Sequence, residues 1–128
     1  MKILLDACTF VWANQEPERL SKAATARFLD PSNELFLSVA SVWEIVRKHA
    51  LGRLKLTRDP EDFIREGREL NAIASLALSE DDAILQRGLP DFHKDPFDRM
   101  LVCQAILGGM TILTPDPLVR RYPVKTAW

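Results

Sequence analysis

The chain has 128 residues and a mass of 14.5 kDa; 47% of the residues are apolar and 27% charged, and there are five glycines, eight prolines and two cysteines. That describes one globular domain over residues 1–128, able to bury about two-thirds of its unfolded surface without disulfide staples and too apolar to be a disordered tail. Seventeen Lys and Arg against eighteen Asp and Glu leave a formal charge of −1, so no global positive field holds a polyanion and any nucleic-acid contact must be local.

Residues 2–5 (KILL) form a short apolar run that halts at Asp6, and TFVWA then continues apolar to Asn14. The pattern predicts a buried strand followed by a turn of helix. Leu20, Ala23, Ala24 and Phe28 recur at helical spacing, with Ser21 as a cap and Asp30-Pro31-Ser32-Asn33 as the terminator. Residues 35–37 are the next short strand. From Ser41, VWEIVRKHALG keeps Val42, Ile45, Val46 and Ala50 on one face and ends at Gly52, which suits the position just past a helix C-terminus. Residues 60–71 open with Pro60, Glu61 and Asp62, fitting the positive end of a helix dipole, and close near Asn71. Residues 73–78 are weakly strand-like. Ser79, with Asp82 three residues on, has the form of a capping box ahead of the short helix AILQRG. Asp95-Pro96 opens another helix, which Gly108-Gly109 ends; residues 110–113 are a strand and residues 122–125 a candidate last one. Short apolar runs alternating with longer helical segments predict βαβ units and a parallel sheet covered on both faces. Cys8 and Cys103 lie in apolar stretches without metal-type spacing, as expected of free thiols in a reducing compartment. No apolar run approaches the ~18 residues of a membrane span, and the N-terminal MKILLDA meets Asp6 before a signal core forms, so the expected location is cytoplasmic.

In a parallel α/β sheet, ligands gather beyond the carboxyl ends of the strands, and here those positions carry acids. Asp6 follows KILL, Asp116 follows MTIL at a short distance, Glu44 falls in the first turn of the helix after LFL, and Asp98 falls in the first turn after Asp95-Pro96. Most have a plain structural use as well. Ser41 and Glu44 fit a capping box, Asp95 an N-cap, Asp98 a first-turn anion, and Asp116, between two prolines, a turn. Asp6 has no cation nearby in the sequence. If the four converge, two carboxylates about 4 Å apart repel by roughly 4 kcal/mol at an effective dielectric near 20, a cost that a divalent cation removes. All-oxygen ligation favours Mg²⁺ or Mn²⁺, since neither His49 nor His93 stands in a zinc-type spacing. Such an ion can activate water for phosphodiester cleavage. A side-chain nucleophile is not evident: there is no G-x-S-x-G, Cys8 lacks a local histidine, and the five glycines form no phosphate cradle. Residues 47–58 hold Arg47, Lys48, Arg53, Lys55 and Arg58 and no acid. They read either as cations complementing a helix C-terminus ahead of a solvated loop, or as a phosphate-contacting strip.

Four blocks carry a resemblance: LLDACTFVW (4–12), LSVASVWEIVRKHALGRLKL (37–56), HKDPFDRMLVCQA (93–105) and TILTPDPLVRRYPV (111–124). In this order they resemble the PIN-domain ribonucleases, and within them the VapC-type toxins of bacterial and archaeal toxin–antitoxin modules, nearly end to end. The resemblance implies a three-layer α/β/α sandwich around a central, mostly parallel sheet, and a Mg²⁺-dependent endoribonuclease in which Mn²⁺ substitutes. It assigns catalysis and metal binding to Asp6, Glu44 and Asp98, with Asp116 as a fourth, more variable member. Asp95 becomes a supporting or helix-capping residue, and Thr114 one that orients a metal-bound water or Asp116. Where the family usually has Thr or Ser, and often Asn or Ser, after the first aspartate, this chain has Ala7 and Cys8, so Thr9 is the expected source of the hydroxyl. Arg47, Lys48, Arg53 and Arg99 are candidate contacts to RNA, read as a single strand or loop.

The implied partners are a cognate VapB-type antitoxin and a second copy of the chain. The family's antitoxins bind DNA through their own domain, so the toxin meets DNA only through them, and they often send a basic side chain into the acidic site. Phe10, Trp12 and Trp43 are candidate residues for a homodimer interface. The alternative, motivated by the Ala7-Cys8 pair, is a catalytically weak PIN-fold module that mainly binds its antitoxin in DNA-bound autoregulatory complexes. A receiver-like signalling domain would need a second acid beside Asp6 and a lysine after MTIL, and neither is present.

Overall fold

Strand β1 (Lys2–Leu5) buries Ile3 and Leu5 on one face and Leu4 on the other, the pattern of a central strand covered on both sides. In the computed structural model, which describes residues 1–128, it pairs with β2 (Glu34–Ser38) on one side and β4 (Thr111–Leu113) on the other. Beyond β2 lies β3 (Ile73–Leu76) and beyond β4 lies β5 (Thr126–Ala127), giving the order β3-β2-β1-β4-β5 with every pair parallel. Strand alternation sorts the core into two layers. Ile3, Leu5, Leu35, Leu37 and Leu113 pack with residues of α1 (Ala7–Gln15), α2 (Lys22–Leu29), α3 (Val39–Ala50) and α4 (Pro60–Asn71). Leu4, Phe36 and Ile112 pack on the opposite face against α6 (Pro96–Gly108), which α5 (Glu80–Leu85) flanks. This is the expected three-layer sandwich, with a sheet that is parallel throughout.

Local chemistry sets most helix ends. Ser21 caps α2, Asp59 caps α4, and Ser79 and Asp82 form the expected box on α5. Asp95 caps α6, Pro96 takes its first position, and Gly109 ends it in the left-handed conformation at φ 62°. Gly67 has a different use: a Cβ there would fall 2.7 Å from the Phe10 ring, so α4 approaches α1 at a point where no side chain fits.

Three boundaries differ from the sequence reading. The helix after β1 runs for nine residues rather than a turn, because the Asp6 carboxylate caps it. Helix α3 starts directly after β2, with Ser38 accepting from the Ala40 N–H at 3.0 Å. The Ser41–Glu44 capping box is therefore absent, and Glu44 sits in the second turn rather than the first. Residues 122–125 are not a strand: residues 119–121 make a 3₁₀ turn and Pro123 has no N–H to give a ladder. Pairing begins only where Lys125 C=O accepts from Ile112 N–H, and β5 follows. No helix is long and apolar enough to cross a membrane.

Candidate active site

The strands β1, β2 and β4 end level, Leu5 standing beside both Leu37 and Leu113, so Asp6, Ser38 and Thr114 share one edge of the sheet. Asp6 is buried. Its Oδ1 accepts from the Thr9 N–H at 2.8 Å and from the Cys8 thiol at 3.4 Å, and its Oδ2 accepts from the Thr114 hydroxyl. Burial pushes the carboxyl above its ordinary pKa, and the hydrogen bonds from Thr114 and Thr9 oppose that push. The Thr9 hydroxyl, expected near the acids, donates instead to Leu113 C=O at 2.8 Å and ties β4 to α1. Thr114 also accepts from the Asp116 N–H at 3.1 Å, so one hydroxyl orients two of the acids' neighbourhoods.

Glu44 points from α3 into the same region, buried, with an ion pair to Lys48 one turn on. Burial pushes its carboxyl up, Lys48 opposes this, and the charges of Asp95 and Asp6 add to the rise. For the Lys48 ammonium, burial disfavours the charge, yet Glu44, with Asp95 and Asp98 beyond it, holds its pKa above the ordinary value. On α6, Asp95 accepts from the Phe97 and Asp98 N–H groups at 2.9 and 3.2 Å. The Asp98 carboxyl, 15% exposed, lies 3.2 Å from His93 Nε2. Its pKa is pushed up to about 7, by burial first and then by the negative charges of Asp95, Glu44 and Asp116, against the His93 hydrogen bond. Asp116 itself closes a turn, its Oδ1 accepting from the Leu118 N–H at 2.9 Å. Acids from four separate elements thus share one field.

No three Asp, Glu, His or Cys side chains are gathered as a finished ion cage, because each acid turns to a partner of its own: Asp6 to Thr114, Glu44 to Lys48, Asp98 to His93. The donor chemistry still fits a hard divalent cation. The acids offer only oxygen, and three of them are pushed toward the neutral form by burial, with neighbouring acids adding to the push on Glu44 and Asp98. One turn before Glu44, the buried Ser41 Oγ has no hydrogen-bond partner.

The family model described as PIN domain matches residues 3–125. The chain belongs to the PIN-domain family. Ribonuclease VapC22 of Mycobacterium tuberculosis (strain ATCC 25618 / H37Rv) is 28% identical to it over 130 residues, covering 98% of each chain. A chain of the VapBC2 complex from Rickettsia felis, bound to a DNA fragment from their promoter, matches at TM-score 0.75 and 14% identity over 100% of this chain and 99% of that one. DNA-bound VapBC from Salmonella typhimurium matches at 0.68 and 18%, over 99% and 97%. These structures share the fold.

Around the acids of this PIN domain, the basic strip divides. Lys48 is paired to Glu44, and Arg58 to Glu66 at 2.5 Å, whereas Arg47, Arg53 and Lys55 face solvent without an ion pair. Arg99 is committed inward, donating to Pro90 C=O, Gln86 C=O and the Tyr122 hydroxyl at 2.9, 3.0 and 3.2 Å, which corrects its reading as an open phosphate contact. Of the candidate interface aromatics, Phe10 is fully buried in the core, which removes it from any interface. Trp12 packs against Trp128 and Arg19. Trp43 is 60% exposed and meets Phe97 edge-to-face at 5.2 Å, joining α3 to α6 at the rim of the acids. His93 and Tyr122 are site residues that the sequence reading missed. The signal was present in HKDPFDR itself, where a histidine stands two residues before the capping aspartate.

Proposed function

We propose that this PIN domain is the ribonuclease toxin of a toxin–antitoxin pair, cleaving RNA phosphodiesters at Asp6, Glu44, Asp98 and Asp116 with Mg²⁺, or Mn²⁺ in its place. The observation that carries the reading is the placement of these acids at one end of the sheet, Asp6 directly after β1 and held by Thr114 after β4, with Glu44 and Asp98 enclosed beside it and Asp116 tied to the same Thr114 hydroxyl. A relative named as a ribonuclease and a shared fold with VapBC complexes support it. When bound, the cation supplies Lewis-acid charge that activates water and offsets the charge developing on the phosphate. The chain's own residues do the rest. Asp6 is fixed by the Thr9 N–H and the Thr114 hydroxyl and so presents its carboxylate without searching rotamers. Glu44 would help hold the cation with Lys48 turned away from it, and the Lys48 ammonium, standing beside the acids, would then be available to a phosphate oxygen. The Cys8 thiol is no competing nucleophile: burial and the neighbouring Asp6 charge push its pKa far up, so it stays protonated. Arg47 and Arg53, exposed and unpaired, are the phosphate contacts for single-stranded RNA.

A VapB-type antitoxin suits the same site, since a cationic side chain among the acids replaces the charge of the ion, and DNA is reached only through that partner. A second copy of the chain fits the exposed Val39, Trp43 and Val46 on α3, and sedimentation at working concentration checks it, a monomer excluding the dimer. One observation favours a second reading, a catalytically weak module that mainly binds its antitoxin: Lys48 already neutralises Glu44. Cleavage of end-labelled cellular RNA by antitoxin-free protein separates the two. Discrete fragments in Mn²⁺ that vanish in EDTA and in Asp6→Asn protein support the nuclease, and identical lanes from all preparations leave the binding module.

A further inference from the structure

We propose that His93 and Tyr122 are positioning residues for Asp98, forming a relay that holds one carboxylate oxygen and leaves the other for a divalent cation; this rests on reading the acids as a cation site. Both ring nitrogens of His93 are engaged: Nδ1 lies 2.8 Å from the Tyr122 hydroxyl and Nε2 lies 3.2 Å from Asp98 Oδ2. The relay is well enclosed, with His93 12% and Asp98 15% exposed at their side chains and Tyr122 buried. Behind it stands Arg99, anchored on the Gln86 and Pro90 carbonyls and donating to the Tyr122 oxygen at 3.2 Å. The Tyr122 hydroxyl accepts from Arg99 and has two acceptors for its own proton, His93 Nδ1 at 2.8 Å and His93 C=O at 3.5 Å. An ionised Asp98 only accepts, which requires the proton on Nε2 and leaves Nδ1, the nearer acceptor, to take the phenol proton. Nε2 then carries the ring proton and donates to Asp98 Oδ2. Asp98 Oδ1 takes no hydrogen bond from the protein. Asp95 already takes the Phe97 and Asp98 N–H groups at the start of the helix, and the Asp98 carboxyl turns to the relay instead. Hydrogen bonds behind a ligating group fix its orientation, and their loss typically weakens metal affinity by about 10- to 100-fold.

Two measurements test this. In metal-free protein at pH 8, the imidazole ¹⁵N spectrum, with His49 as the only other histidine, is expected to show His93 protonated at Nε2 and bare at Nδ1; the opposite tautomer overturns the relay. In a Mn²⁺ titration followed by calorimetry, His93→Ala is expected to bind about 10- to 100-fold more weakly than wild type. Tyr122→Phe should fall between them, and His93→Gln, whose amide N–H can reach Asp98, should recover most of the loss. Unchanged affinity in His93→Ala overturns the proposal, as does a loss that tracks a lower melting temperature and that His93→Gln does not recover. Equal Mn²⁺ uptake by wild type and Asp98→Asn would instead remove the cation site, and the proposal with it, a result distinct from failure of the His93 variants alone.

Discussion

Ser79 begins α5 and Asp95 begins α6, and in each case an aspartate follows three residues later. Asp82 folds back on its own helix, its Oδ2 accepting from the Ser79 N–H at 2.9 Å while the Ser79 hydroxyl accepts from the Asp82 N–H at 3.1 Å. Asp98 does not fold back; it reaches His93 and feels Glu44 and Asp116. The difference lies in the cap. A serine hydroxyl is neutral and leaves room for the returning acid, whereas the Asp95 carboxylate repels a second negative charge and sends Asp98 outward to the sheet edge. The same spacing therefore makes a closed structural device in one helix and an open acid in the other, and the chemistry of the first residue decides which.

The comparison is broken most severely by removing the open acid. Asp98→Asn is expected to lower the RNA cleavage rate by about 10³-fold, the equivalent of several kcal/mol of lost charge stabilisation at the reacting phosphate, while Asp82→Ala leaves the rate unchanged; single-turnover kinetics read both. Metal-free stability gives the next effect. An acid whose pKa is higher in the fold than unfolded keeps its proton longer in the fold, so its stability is present at low pH and lost as pH rises between the two values. For Asp98 that window runs from 3.8 to about 7, and Asp6 and Glu44 shift in the same direction. Urea unfolding in EDTA should show about 4 kcal/mol lost from Asp98 between pH 4 and pH 8, and Asp98→Asn should flatten much of that slope.

Exchanging the caps sharpens the comparison. Asp95→Ser keeps a good cap but removes the repelling charge, so Asp98 can close a box as Asp82 does. The expected result is a cleavage rate lower by about tenfold, or 1.4 kcal/mol, with the melting temperature maintained. On the closed side, Asp82→Ala should cost about 1 kcal/mol by urea denaturation, the usual value of a lost cap. Smallest of all, Arg47→Ala and Arg53→Ala should each reduce the salt dependence of RNA binding by about 0.7 in the log–log slope, one phosphate contact apiece.

Features encoded within a few residues were legible in the sequence. The caps Ser21, Ser79 and Asp95, the span of α4, and Gly52 and Gly109 just past their helices all follow from neighbouring side chains. The start of α3 was not, because Ser38 and Ser41 both offer a hydroxyl, and only the junction with β2 selects Ser38. Asp6, Asp98 and Asp116 could be singled out because each follows a strand or opens a helix, whereas Glu44 was picked out at a helix start that the structure places one turn earlier. Their partners could not be read in the same way. Thr114 meets Asp6 across 108 residues of sequence, through the adjacency of β1 and β4, and Tyr122 reaches His93 only because the chain after β4 returns beneath α6. Thr9, the expected source of the hydroxyl absent at positions 7 and 8, gives its hydroxyl to Leu113 C=O instead.

The central claim is that the open acid of α6 performs chemistry and the closed acid of α5 does not. Its most direct test is cleavage of end-labelled RNA by wild type, Asp98→Asn and Asp82→Ala, purified identically and assayed side by side in Mn²⁺ and in EDTA. The account predicts the same Mn²⁺-dependent fragments from wild type and Asp82→Ala and none from Asp98→Asn. Fragments from Asp98→Asn at the wild-type rate, or their loss in Asp82→Ala protein that still melts as a folded domain, would contradict it.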